Sequence, residues 1–335
     1  NFFHIFNMDL FSVLQLESFE DEFLIMFSHL VGASIDVSKT LSTSMGNCNE
    51  NPESFNVHGE IQKSLDIYSH ERFCDILTYC PQLLAIASEE SKHPVFQSHS
   101  ADGTNYILAI DPLDGSSNLD MNVSVGTIFS IFVVPDKHHG KINYSDEIFF
   151  RPGIEQFVAG YFIYGPMTQL VLTWGNGTHV FTLDKDELVY RLSQHSIKIP
   201  ETTSEFSINV SNRRFWSEPI KEYVEQCLLG DTGPRNRHFN MRWVASMVAD
   251  IHRLLMRGGI FLYPSDSREK TKLGRLRLLY EVSPISWIVE QAGGLTTDGN
   301  CHSLLSIVPN SIHQRVSVIV GSKAEVSYLK SMFSE

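Results

Sequence analysis

Asp111-Pro112-Leu113-Asp114-Gly115-Ser116-Ser117 directly follows an apolar run at residues 106–110. Two carboxylates three positions apart, joined by a proline that fixes the turn, can aim at one point. At about 4 Å they repel by about 4 kcal/mol at an effective dielectric of 20, so the pair needs a cation between them or a proton on one. Gly115, Ser116 and Ser117 offer backbone N–H groups and hydroxyls with little bulk, which suits a phosphate. Hard carboxylate oxygens beside a phosphate seat favour Mg²⁺, with Mn²⁺ as the other candidate. A plain surface turn is the competing explanation, because turns favour these same residues.

Three other segments carry acids or bases that can join such a site. Ser88-Glu89-Glu90 closes a second apolar run, residues 83–87. A glutamate on the cations with a neighbour polarising water suits phosphoryl chemistry, although adjacent glutamates also read as a solvated loop. Asp66, in Lys63-Ser64-Leu65-Asp66, is a third acid that helical spacing allows to face solvent. Over residues 275–281 the alternation predicts a strand with Leu276, Leu278 and Tyr280 on one face. Arg275, Arg277 and Glu281 then share the other face, a pair of guanidiniums suited to a substrate with more than one phosphate. A charged edge strand is the alternative there. The fourteen histidines form no HxxxH or HxH pattern, and neither a G-x-S-x-G elbow nor a G-x-x-x-x-G-K-[ST] loop is present.

The elements that must position these residues are legible in the periodicity. Helical spacing predicts helices over 19–42, 61–79, 218–228, 243–257 and 283–292, the last closed by Gly293-Gly294. β-branched and aromatic runs predict strands at 83–87, 106–110, 123–134, 157–164, 206–210 and 258–263. Trp174-Gly175-Asn176-Gly177 reads as a hairpin turn leading into a strand at 178–183, and residues 43–58 as a loop. The class is therefore α/β or α+β with layered sheets, divided near residue 195 into an N-terminal part (1–195) and a C-terminal part (196–335).

The 335 residues carry 26 Lys+Arg against 39 Asp+Glu, a net charge of −13, with 42% hydrophobic residues. That charge argues against nucleic acid and against an anionic membrane surface, and no run approaches the roughly 18 apolar residues of a span. No Lys or Arg precedes Lys39, so neither a secretory signal nor a transit peptide is expected, although a chain beginning without Met can lack residues upstream. The five cysteines (48, 74, 80, 227 and 301) have no CxxC pair, so reduced thiols in the cytoplasm are expected and zinc is not.

The run Asp111 to Asp120, DPLDGSSNLD, followed by Val125-Gly126-Thr127-Ile128-Phe129, closely resembles the metal and phosphate motif of class I fructose-1,6-bisphosphatases. Similar blocks follow over nearly the whole chain. They include Glu60 with Lys63 to Asp66, Ser88-Glu89-Glu90, Val158-Ala159-Gly160-Tyr161, Arg242 with Val248 to Arg253, Gly258 to Pro264, Leu276 to Glu281, Ala292-Gly293-Gly294 and Ile312 to Arg315. The resemblance implies a Mg²⁺-dependent phosphoric monoester hydrolase of gluconeogenesis or a related carbon cycle, with a layered α-β-α-β-α fold and a homotetrameric assembly. It implies Glu89, Asp111, Asp114, Glu281 and the Leu113 carbonyl as metal ligands, and Asp66 and Glu90 as the groups that orient and deprotonate water. Asp114 and Gly115 to Ser117 would hold the transferred phosphate. Asn209, Tyr263, Arg275 and the neighbouring Trp243 would meet the distal phosphate and sugar, with Arg242 reaching in from another subunit.

Three positions depart from the pattern: Arg275 stands for Lys, Trp243 for Tyr and Asn212 for Tyr. Trp removes a hydroxyl donor, which leaves a seven-carbon bisphosphate as an alternative substrate. Asn105 and Val133 replace basic residues of the AMP site, and the N-terminus lacks the usual Thr-rich helix start, so weak or absent AMP inhibition is expected. An inositol-monophosphatase-like enzyme fits less well, because that group places Trp-Asp where this chain has Tyr280-Glu281. A non-catalytic metal- or sugar-phosphate-binding regulator is the alternative from outside enzymes.

Overall fold

The computed structural model describes residues 7–43, 54–55, 61–62, 64–97, 103–134, 145–300 and 302–333. Most of the predicted loop 43–58, and Glu60, Lys63, Cys48 and Cys301, lie outside them. Helices α1 (Leu10–Leu16), α2 (Asp21–Thr43), α3 (Ser64–Cys74) and α4 (Ile76–Tyr79) precede the first long strands. The helix predicted over 61–79 is thus divided at Asp75, and a two-stranded ribbon of β1 (Ser54–Phe55) and β2 (Ile61–Gln62) lies before it.

An eight-stranded sheet follows, built from β3 (Leu83–Ser88), β4 (Val95–Phe96), β5 (Asn105–Asp114), β6 (Val125–Val134), β7 (Val158–Tyr164), β8 (Thr168–Thr173), β9 (Thr178–Asp184) and β10 (Val189–Gln194). Its order is β10-β9-β8-β7-β6-β5-β3-β4, and every pairing is antiparallel except β3 with β5. Gly175 and Gly177 take the positive φ values of the turn between β8 and β9.

The C-terminal sheet contains β11 (Glu205–Ser207), β12 (Asn240–Met241), β13 (Ile260–Tyr263), β15 (Leu295–Thr297) and β17 (Val318–Gly321), ordered β12-β11-β13-β17-β15. A small ladder joins β14 (Leu276–Arg277) to β16 (Arg315–Val316). Four more helices are α5 (Glu218–Leu229), α6 (Met247–Arg257), α7 (Ser283–Gln291) and α8 (Lys323–Met332).

Burial explains the layering. Phe23, Phe27 and Phe73 of α2 and α3 pack with Ile110 and Phe129 on one face of the large sheet. On its other face Ile128 and Tyr161 meet Ile251 of α6 and Ile285 of α7, which also pack on Phe261 and Val320 of the smaller sheet. Ile220 and Tyr223 of α5 and Val326 of α8 cover that sheet's far side against Ile260 and Ile319. The result is α-β-α-β-α, an α+β fold. Both faces of each sheet are covered, so the strands read as nearly continuous apolar runs.

Other predicted elements differ as well, and the helix expected over 243–257 begins only at Met247. The strand expected over 206–210 ends at Ser207, because Asn209 caps a 3₁₀ turn (Val210–Phe215) by accepting from the Ser211 N–H. The alternating strand expected over 275–281 is only Leu276–Arg277, since β16 offers just two partners. Leu278–Val282 forms a π-helical turn that runs into α7, so Glu281 is placed by a turn and not by strand alternation. No helix among the described residues is long and apolar enough to cross a membrane.

Candidate active site

Parallel pairing of β3 and β5 is what brings two distant acidic segments together. Ser88 lies opposite Ile110, and the Glu89 N–H continues the ladder to the Ile110 carbonyl at 3.1 Å. Glu89 and Asp111 therefore leave the sheet side by side. Along β5 the next three residues oppose only two on β6, since Asp111 pairs with Ile128 and Asp114 with Gly126. In a regular strand residues three apart point to opposite faces; the extra residue removes that conflict. Thr127 donates to the Pro112 carbonyl at 2.8 Å, supporting the bulge.

Asp111, Asp114 and Glu281 each offer an oxygen within 4.8 Å of the other two, and all three are buried. The Leu113 N–H donates to Asp111 Oδ1 at 3.1 Å, and Leu113 itself is buried. Asp114 Oδ2 accepts from the Val248 N–H at 2.9 Å and from Ser246 Oγ at 3.3 Å, at the positive end of α6. Glu281 accepts from the Arg277 N–H at 2.5 Å. Arg277 Nη1 lies 2.7 Å from Glu89 Oε1 and 3.9 Å from Glu281 Oε2. Arg277, read from the sequence as one of two phosphate-facing guanidiniums, is thus buried among carboxylates, whereas Arg275 is exposed.

One guanidinium cannot balance four buried carboxylates. Burial, then Glu89, Asp114 and Glu281, push Asp111 well above the usual carboxylate range. Burial raises Asp114 to about 7 against the opposing Val248 N–H bond, and raises Glu281 to about 8 against Arg277. At neutral pH these acids need protons or cations. The donor set is all oxygen, which fits a hard divalent ion. Glu89, Asp111, Asp114 and Glu281 are the residues that would hold it.

Asp66, in the first turn of α3, is only 4% exposed, so it faces the interior and not solvent. Glu90 is half-buried and its N–H reaches Ser88 Oγ at 3.3 Å. Gly115 adopts φ 78°, and a Cβ there would lie 2.6 Å from Ser246 Oγ. Only glycine lets the Ser116–Met121 turn sit this close to the start of α6; Ser116 is half-buried and Ser117 exposed.

The segment from Arg242 to Ser246 links this centre to the aromatic residues of β13. Trp243 stacks on Phe261 at 5.9 Å and meets Tyr263 at 5.6 Å. Arg242 is exposed, 3.9 Å from Glu205, which is itself held by Arg253 at 2.6 and 2.8 Å. Asn209 uses its side-chain oxygen on Ser211, and the loop after Tyr263 returns to the same turn through the Ser267 N–H and Phe215 carbonyl at 3.0 Å.

Sequence reasoning passed over Ser246 and Asp250 as individual residues. Asp250 accepts from the Val244 and Ala245 N–H groups and from Ser207, which holds Ala245 at φ 66°. A serine just before an apolar-periodic helix is a cap signal that points to this end of α6. Positive φ costs an alanine about 1–2 kcal/mol, part of which glycine loses to greater unfolded-state freedom. Ala245→Gly is therefore expected to raise unfolding free energy by up to about 1 kcal/mol in a denaturant titration; a lower midpoint at equal slope would contradict it.

The chain matches the fructose-1,6-bisphosphatase N-terminal domain over residues 12–195 and the C-terminal domain over residues 199–334. It is similar to Leishmania major fructose-1,6-bisphosphatase in holo form, at 31% identity and a TM-score of 0.90, covering 98% of this chain and 99% of that one. The apo form of that enzyme gives 30% identity and 0.84, over 98% of this chain and 100% of that one. Two domain matches in register and full-length similarity leave one reading: the chain belongs to the fructose-1,6-bisphosphatase family.

Proposed function

We propose that this protein hydrolyses the 1-phosphate of fructose 1,6-bisphosphate, giving fructose 6-phosphate and phosphate. The observation that carries the reading is the buried cluster of Glu89, Asp111, Asp114 and Glu281 against one arginine. Mg²⁺ is the cation proposed, with Mn²⁺ as substitute, and the Leu113 carbonyl completes its donors. Bound there it supplies charge neutralisation for the phosphate and polarises water for in-line attack.

The chain's own groups do the rest. Glu90, with Asp66, orients the water and takes one of its protons as the water oxygen bonds to phosphorus; the bond from phosphorus to the sugar oxygen breaks, and that oxygen takes up a proton from solvent to leave as a hydroxyl. Backbone N–H groups of Gly115 to Ser117 hold the departing phosphate beside Asp114. Asn209, Tyr263 and Arg275 grip the distal phosphate and sugar, Trp243 lines the sugar's edge, and Arg242 serves a neighbouring subunit's site. We place the enzyme in the cytoplasm, as a homotetramer of chains whose two packed parts meet near residue 195.

Phosphate release from fructose 1,6-bisphosphate under a Mg²⁺ titration tests this, with sedoheptulose 1,7-bisphosphate and inositol monophosphate alongside. Mg²⁺-dependent release, fastest on the fructose ester, is expected. No release from any ester, with metal bound, would leave a binding protein instead.

Inhibition by AMP is expected to be weak or absent. Tyr106 is buried, with the Glu20 and Glu22 carboxylates adding to burial in holding its hydroxyl protonated, and Asn105 spends its amide on the Gly103 carbonyl at 3.0 Å. Neither side chain brings a positive charge to an adenylate phosphate. Submicromolar inhibition in the same assay would overturn the expectation.

A further inference from the structure

Two imidazoles grip the turn that carries Glu89 and Glu90, and neither is among the residues assigned above. His70 lies four residues beyond Asp66 on α3, so one helix face presents both. Its Nδ1 is 2.9 Å from Ser88 Oγ and its Nε2 3.1 Å from Ser91 Oγ. Ser88 is fully buried, and its hydroxyl oxygen is the atom that accepts the Glu90 N–H. From the other side, His313 Nε2 is 3.1 Å from the Ser91 carbonyl and its Nδ1 is 2.8 Å from Tyr280 Oη, next to Glu281.

The proton positions are mutually consistent. A carbonyl can only accept, so His313 carries its hydrogen on Nε2, and Tyr280 donates to Nδ1. Ser88 Oγ accepts from Glu90 and keeps its own O–H, which is free to donate to His70 Nδ1; in that tautomer Nε2–H donates to Ser91 Oγ. Both rings act as neutral bridges, and burial favours that form of each. The Glu89–Ser91 turn is thereby tied to the helix bearing Asp66 and to the turn bearing Glu281.

We propose that His70 is a positioning residue for hydrolysis, fixing the Glu90 backbone through Ser88, with His313 holding the same turn through Ser91. This rests on Glu90 being the proton acceptor. A displacement of about 1 Å at such a group can cost about 100-fold in rate.

The test compares kcat, KM and thermal midpoint for His70→Ala, His70→Leu and His70→Asn. Alanine and leucine are expected to lower kcat by about 10- to 100-fold with KM for the sugar bisphosphate within about twofold. Leucine restores volume without a polar atom, so it should not recover activity. Asparagine places an amide atom where Nδ1 lies and should recover most of it. In a Glu90→Gln background, His70→Ala should add little, because the group it positions is already disabled.

Wild-type kcat in the leucine variant would overturn the proposal. So would losses that multiply in the double variant, or losses that follow the thermal midpoint across all three substitutions. If His70→Ala does not fold, Ser88→Ala removes the same hub atom and carries the same expectation. An inactive wild-type protein would instead sink the reading of function itself.

Discussion

Replacing Glu90 by glutamine is expected to abolish turnover while Mg²⁺ and sugar-bisphosphate binding stay close to wild type. Glutamine keeps the shape and the Glu90 N–H bond to Ser88, but its amide cannot take a proton from water. General-base catalysis contributes typically about 10²–10⁴-fold, so kcat should fall within or beyond that range. Glu90 is half-buried, whereas Glu89, Asp111, Asp114 and Glu281 are buried in the cluster, which is why binding should survive. Single-turnover phosphate release paired with calorimetric binding checks both halves. Wild-type release rates from the variant would refute the assignment, and loss of Mg²⁺ binding would move Glu90 into the ligand set.

The second large effect has opposite signs on activity and on stability. Asp111→Asn removes one of four buried carboxyls while retaining an oxygen that can accept the Leu113 N–H. Activity should be lost, with at least about a 100-fold drop in Mg²⁺ affinity, the upper end of what lesser perturbations around metal ligands cost. The metal-free variant should nevertheless unfold at a higher temperature than the metal-free wild type at pH 8.

The sign follows from linkage. A carboxyl whose folded pKa lies above its unfolded value favours the folded state at pH below about 4, and that contribution is lost as pH rises through the folded pKa. Asp114 at about 7 and Glu281 at about 8 set the window, roughly pH 4 to 8. Metal-free wild type should therefore lose stability across it, and the Mg²⁺-induced rise in melting temperature should grow over the same span. A Mg²⁺ effect that is flat or shrinks from pH 5 to 8, or a metal-free Asp111→Asn variant less stable than wild type at pH 8, would contradict this account.

Periodicity and residue types along the chain were enough for the long elements and for the chemistry of the acids. Long apolar runs bounded by polar turns fixed β3, β5, β6 and β7 within a residue or two at most ends, and helical spacing fixed α2, α5 and α7. An Asp-Pro-x-Asp-Gly turn at a strand end already implied cations and phosphate. The bounds of short elements were not legible: β11 and β14 are three and two residues long, too brief for a period to register, and both were expected longer. Which charges meet depends on how the folded elements pair. Glu89 reaches Asp111 because β3 and β5 run parallel, Asp111 and Asp114 converge because a bulge adds a residue, and Glu281 turns inward through a π-turn. Arg277 looked like Arg275 along the chain, yet one is buried against Glu89 and the other is exposed. Such choices depend on strand partners and register, which arise from contacts between residues far apart in sequence, and no local pattern encodes them.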